Sequence, residues 1–131
     1  MKLTTCIAAG MLLMAAITVN ADQKLKRIQF ERGRTSAVVK GIVTNSEQEN
    51  VHEYKLRVGK GQKIIAHLAS PEKSANFMLS LPGGSTADDG QGKAELKDWE
   101  GTIPASGDVV IAIYHRGKKH SMSYTLEVSV R

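Results

Sequence analysis

Two loop segments hold the residue types and spacings in this chain that could do chemistry. In Pro104-Ala105-Ser106-Gly107-Asp108, a hydroxyl and backbone N–H groups sit on a tip of small residues. Such a tip can enter a narrow cleft because it adds little bulk. It is equally a plain turn, with proline fixing the approach and Gly107 free to take a positive φ. The second segment is His115-Arg116-Gly117-Lys118-Lys119-His120, a cationic tip. Its guanidinium could meet a carboxylate through a charge-assisted, often bidentate bond, where the plain alternative is a solvated turn. Val109 to Tyr114 lies between the two and spans about 20 Å if extended.

Nothing else has the spacing of a catalytic or metal centre. No G-x-S-x-G, H-E-x-x-H or C-x-x-C occurs, and Cys6 is the one cysteine. Gly59-Lys60-Gly61 begins like a nucleotide fingerprint, but it lacks the later glycine and the helix, so it reads as a tight hairpin between two strands. His115 and His120 could face one way, yet the cations between them would repel a metal. Asp88 and Asp89 lack the alternating oxygen ligands of a calcium loop. His52 and His67 have no partner suggested by their positions. The expectation is a binding protein with no cofactor and no metal, not an enzyme.

Met1 to Ala21 sets where these residues act. Lys2 opens an apolar run from Ile7 to Val19, and Val19-Asn20-Ala21 offers the small residues of a cleavage site before Asp22. That is the layout of a secretory signal. The run is short for a bilayer core of about 30 Å, which takes ~20 apolar residues, so no stable membrane anchor is expected. The domains are then 1–21, signal peptide, and 22–131, one domain, in the periplasm or secreted. Removing 21 residues from 131 leaves 110, enough for a single core. Without Cys6 that domain has no disulfide and must hold by packing. Losing Lys2 leaves 17 basic residues against 13 acidic, a charge of +4. This mild excess suits anionic partners such as a wall polymer, lipid head groups or an acidic cleft, or simply a solvated surface. The basic residues show no aromatic interleaving, so nucleic acid is not expected as a partner.

Apolar residues recur at period two, not 3.6. Ile28 and Phe30 alternate with polar neighbours, Ala37 to Val43 is β-branched around Gly41, and Thr44 to Asn50 reads as a loop. Tyr54, Leu56 and Val58 give a half-buried strand, followed by Ile64, Ala66 and Leu68. Phe77, Leu79 and Leu81 give another strand, which Pro82-Gly83-Gly84 stops. Pro82 to Gly92 reads as a long exposed loop, and only Gly90 to Asp98 could hold a short helix. Val109 to Tyr114 is apolar throughout and predicts a central strand buried on both faces. Tyr124, Leu126, Val128 and Val130 end the chain in clean alternation. The fold expected is all-β, a single antiparallel β-sandwich of about seven to eight short strands.

Gln29-Phe30-Glu31-Arg32-Gly33-Arg34-Thr35-Ser36-Ala37 resembles the opening of bacterial periplasmic inhibitors of goose-type (g-type) lysozyme, with Gly41 at the glycine of their second strand. Tyr54 and Gly59-Lys60-Gly61-Gln62-Lys63 are similar to that family's Tyr-strand and Lys-Gly-Gln-Lys turn. Pro82-Gly83, Ile103 to Gly107 and Lys118-Lys119 to Tyr124 follow in the same order. The resemblance implies a β-sandwich that inserts loops into the substrate cleft of a g-type lysozyme. Ser106 and Gly107 match the Ser-Gly of the inhibitory motif, whereas Val109 stands where the family carries a tyrosine. Arg116 falls at the lysozyme contact by position, and the lysozyme-binding set implied is Ser106, Gly107, Arg116, His115, Lys118 and Tyr54. Gly-Gln turns and a final Tyr-strand also mark pre-peptidase C-terminal (PPC) domains. The alternative is therefore a non-enzymatic module that binds cell-wall glycan or protein through an exposed Trp99, unless Trp99 packs under the long loop.

Overall fold

The computed structural model describes residues 25–44, 51–115 and 120–131. Its strands are β1 Leu25–Arg27, β2 Ser36–Thr44, β3 Val51–Val58, β4 Lys63–Ala69, β5 Ala75–Ser80, β6 Asp98–Thr102, β7 Gly107–His115 and β8 Ser121–Val130. No helix occurs among the described residues. Two four-stranded sheets form, ordered β1-β3-β7-β5 and β2-β8-β4-β6. Odd-numbered strands make one sheet and even-numbered strands the other, so every connection crosses the sandwich. The all-β sandwich expected from the alternation is the architecture observed.

The alternation shows why these segments are strands. In β8 the residues Met122, Tyr124, Leu126, Val128 and Val130 are buried, while Ser121, Ser123 and Glu127 are exposed. One face of β8 therefore seals the even sheet against the odd one, where Leu56, Phe77, Leu79, Ile111 and Ile113 have no exposed surface. Each such side chain contributes roughly 1.5–3 kcal/mol by leaving water.

Several expectations change. Gly59–Gln62 is not a hairpin: β3 and β4 lie in different sheets, and the turn arches between them. The odd sheet is mixed, because β1 pairs with β3 in parallel, whereas the other pairs are antiparallel. The first strand ends at Arg27; beyond it Ile28 is buried and Phe30 is partly buried against the core. Residues Gly90 to Asp98 form bends, an isolated bridge of Leu96 with Phe77 and the first residue of β6, rather than a helix. Strand β7 is central as expected, but Val110 and Ala112 on its outer side are only half-buried. Thr44 belongs to β2. Residues 45–50, expected as part of a loop, and residues 1–21, expected as a signal peptide, lie outside the described residues.

Candidate functional site

The register brings four connections to one end of the sandwich: residues 28–35, 59–62, 81–86 and 103–106. Ser106 stands in this group, exposed, and its Oγ accepts from Lys60 N at 2.9 Å. Gly61 N donates to Ile103 O at 2.9 Å, and Ile103 N donates to Gln62 O at 2.7 Å. Gly59 N donates to Gln62 Oε1 at 2.6 Å, which closes the turn. The β3–β4 arch and the loop before β7 thus act as one unit. Gly107 has φ 153° and packs beside Pro82 of the third loop, where a Cβ would stand 3.0 Å from the Pro82 Cβ. The tip is small, hydroxylated and tied to its neighbours by hydrogen bonds.

A bidentate ion pair fastens β1 to this end. Arg27 Nη1 and Nη2 donate to Asp108 Oδ1 and Oδ2 at 3.2 and 3.1 Å, reaching across β3. The Arg27 hydrogen bonds, with added attraction from Arg27, Lys55 and Arg57, hold the Asp108 carboxyl below its usual value of 3.8. A depressed folded-state pKa stabilises above the unfolded value and loses that contribution as pH falls through the folded one. The thermal midpoint difference between the native chain and Asp108→Asn should therefore be present at neutral pH and vanish in acid below 3.8. Unfolding scans across that window measure it, and a difference that persists in stronger acid would refute the assignment.

Three polar rings bridge the sheets in the interior. Tyr124 Oη lies 2.7 Å from His52 Nδ1 and 2.6 Å from Tyr54 Oη. His52, Tyr54 and Tyr124 are all buried. Burial pushes both phenols above their ordinary range, Tyr124 further because of Tyr54, so both remain neutral donors and acceptors. Tyr124 has room because Gly41 sits opposite it, and a Cβ there would stand 2.5 Å from Tyr124 Oη.

These findings separate the residues nominated for binding. Ser106 and Gly107 lie together at the four-loop end. Tyr54 is 1% exposed, so it is a core residue that supports the fold and not a surface contact. His115 is likewise buried, at the far end of β7, and so is not a surface contact beside Ser106. That end is about 26 Å away at the rise of a strand. Arg116 and Lys118 lie outside the described residues. Trp99 packs partly buried against the core, and its Nε1 donates to Asp88 O at 3.2 Å. Asp88 and Asp89 turn their carboxylates onto N–H groups of their own loop, at Gly90, Gln91 and Lys93. Among the described residues no cluster of His, Cys, Asp and Glu could hold a metal.

No family model matches the chain, and no curated protein matches it in sequence. Solved structures do. Aeromonas hydrophila PliG, a periplasmic lysozyme inhibitor of g-type lysozyme, matches with TM-score 0.66 and 27% identity, over 82% of this chain and 96% of that one. This chain is similar to the periplasmic inhibitors of g-type lysozyme. The Salmonella Typhimurium PliG matches at TM-score 0.62 and 22% identity, over 83% of this chain and 99% of that one. A pre-peptidase C-terminal domain of a Bacillus anthracis collagenase shares the fold at TM-score 0.54 and 14% identity, over 86% of this chain and all of that one. Both resemblances read from the residues return in the tertiary structure, the lysozyme inhibitors ahead of the PPC domain.

Sequence reasoning missed His52, whose parity with Tyr54 along β3 already placed it on the inner face. It also missed β6, whose sequence Asp98-Trp99-Glu100-Gly101-Thr102 offers one large apolar residue. The Arg27–Asp108 pair had no local signal, because its members lie 81 residues apart.

Proposed function

We propose that this chain is an exported, periplasmic or secreted inhibitor of a g-type lysozyme. It occludes the substrate cleft with the loop end around Ser106 and Gly107. The likeness to the Aeromonas inhibitor over nearly all of that chain supports the reading. Lysozyme must lay a glycan across its cleft and donate a proton from a carboxylic acid. A rigid, narrow tip with a hydroxyl at its apex denies the glycan that position and performs no chemistry of its own. The rigidity counts, because loops already held in their bound shape lose little entropy on docking.

Purified domain from Asp22 to Arg131 should inhibit a g-type lysozyme and spare chicken-type and invertebrate-type enzymes. Ser106→Ala removes both the hydroxyl and the clasp on Lys60 N, and should raise the inhibition constant about ten-fold. No inhibition of any lysozyme at micromolar protein would overturn the proposal. A glycan-binding module would instead be retained on insoluble peptidoglycan and released by a Trp99 substitution. Trp99 packs partly buried against the core with its ring over Gly101, which favours a packing role.

A further inference from the structure

The four-loop end is rich in cations, and three of them are already matched. Arg27 is forked onto Asp108, Lys63 lies 2.6 Å from Glu100, and Arg34 lies 3.9 Å from Glu31. Arg32, Arg131, Arg57 and Lys60 are not paired in this way, and of these Arg57 and Lys60 adjoin the Ser106-Gly107 tip. Both are exposed, and neither has a carboxylate partner among the described residues. Arg57 stands directly opposite Asp108 in the β3–β7 register, next to the Val58–Gly107 pair. Its charge reaches Asp108 only through space, since the Asp108 oxygens are taken by Arg27. Lys60 rides on the arch whose backbone is clasped by Ser106. Two cations without a contacting carboxylate therefore flank the small hydroxylated tip, on a frame tied by hydrogen bonds.

We infer that Arg57, with Lys60 beside it, is the cationic contact of this inhibitor and meets carboxylates lining the lysozyme cleft. This rests on the proposed function and names the partner chemistry at that same end. A glycosidase cleft must hold carboxyl groups, and a guanidinium that reaches one gains a charge-assisted, often bidentate bond. The charge of +4 on the domain from Asp22 to Arg131 gives no steering toward a cationic enzyme. A local pair of cations entering a carboxylate-lined cleft escapes that objection, because exposed charges interact within about 10 Å at ordinary salt.

The test is inhibition of a g-type lysozyme as a function of sodium chloride, using Arg57→Gln, Arg57→Glu and the pair Arg57→Glu/Lys60→Glu. Lys40→Glu, on the outer face of β2, serves as a control of equal charge change. We expect about ten-fold weaker inhibition for Arg57→Gln and about a hundred-fold for the charge reversals, with a flatter salt dependence. Lys40→Glu should match the native protein. Thermal midpoints show which variants fold, and Arg57→Gln keeps the test open if a reversal does not. If the native chain inhibits and the folded Arg57 variants inhibit equally well with an unchanged salt slope, this inference fails while the proposed function stands. If the native chain inhibits no g-type lysozyme, both fail together.

Discussion

Gly41→Ala should destabilise the domain by about 2–4 kcal/mol, an overpacking cost joined by weakened hydrogen bonds. That corresponds to a fall of about 10 °C or more in the thermal midpoint of a domain this size. The added Cβ would lie 2.5 Å from Tyr124 Oη and 2.8 Å from Tyr124 Cζ, so the ring must move. Moving it stretches the contacts to His52 Nδ1 and Tyr54 Oη, which have no water to turn to in the core. Tyr124→Phe alone should cost about 1–3 kcal/mol, because it withdraws the shared partner from two buried groups. The pair should be partly non-additive, since phenylalanine lacks the oxygen at 2.5 Å but keeps the ring carbon at 2.8 Å. Equal cost for Gly41→Ala in both backgrounds would rule out the hydroxyl collision. Thermal and denaturant unfolding of the four proteins measures the cycle.

Gly107→Val should strike stability and inhibition together. Its φ of 153° is one that residues with a β-carbon avoid, and strain of this kind costs about 1–3 kcal/mol. The new Cβ would also stand 3.0 Å from the Pro82 Cβ, and Pro82 is buried, so the loop before β7 must shift instead. That loop presents Ser106, whose Oγ receives Lys60 N. If this end enters the lysozyme cleft, inhibition should weaken at least about ten-fold, more than for Ser106→Ala. Calorimetry reads the strain, and titration against a g-type lysozyme reads the displaced tip. A variant that loses stability yet inhibits like the native chain would place the contact elsewhere on the sandwich.

Alternation alone carried much of the fold. Tyr54-Leu56-Val58, Ile64-Ala66-Leu68, Phe77-Leu79 and Tyr124 to Val130 each have one side for water and one for the core, so strand type and inner face were readable. The same parity put Tyr54 inside, which conflicts with a surface contact and favours the core position observed. The Ser106-Gly107 tip and the family resemblance were also readable, because small residues and turn chemistry are local. Strand partners were not. Gly59-Lys60-Gly61-Gln62 suits a hairpin and an arch equally, since a turn reverses the chain without choosing which sheet receives it. Tertiary packing chose the arch at every connection. That choice seats Tyr124 over Gly41, brings Arg27 to Asp108, and sets Arg57 and Lys60 beside Ser106, all by contacts between residues far apart in sequence. Local chemistry determined the strands and the tip, and only burial of both sheets' apolar faces in one core decided what stands next to them.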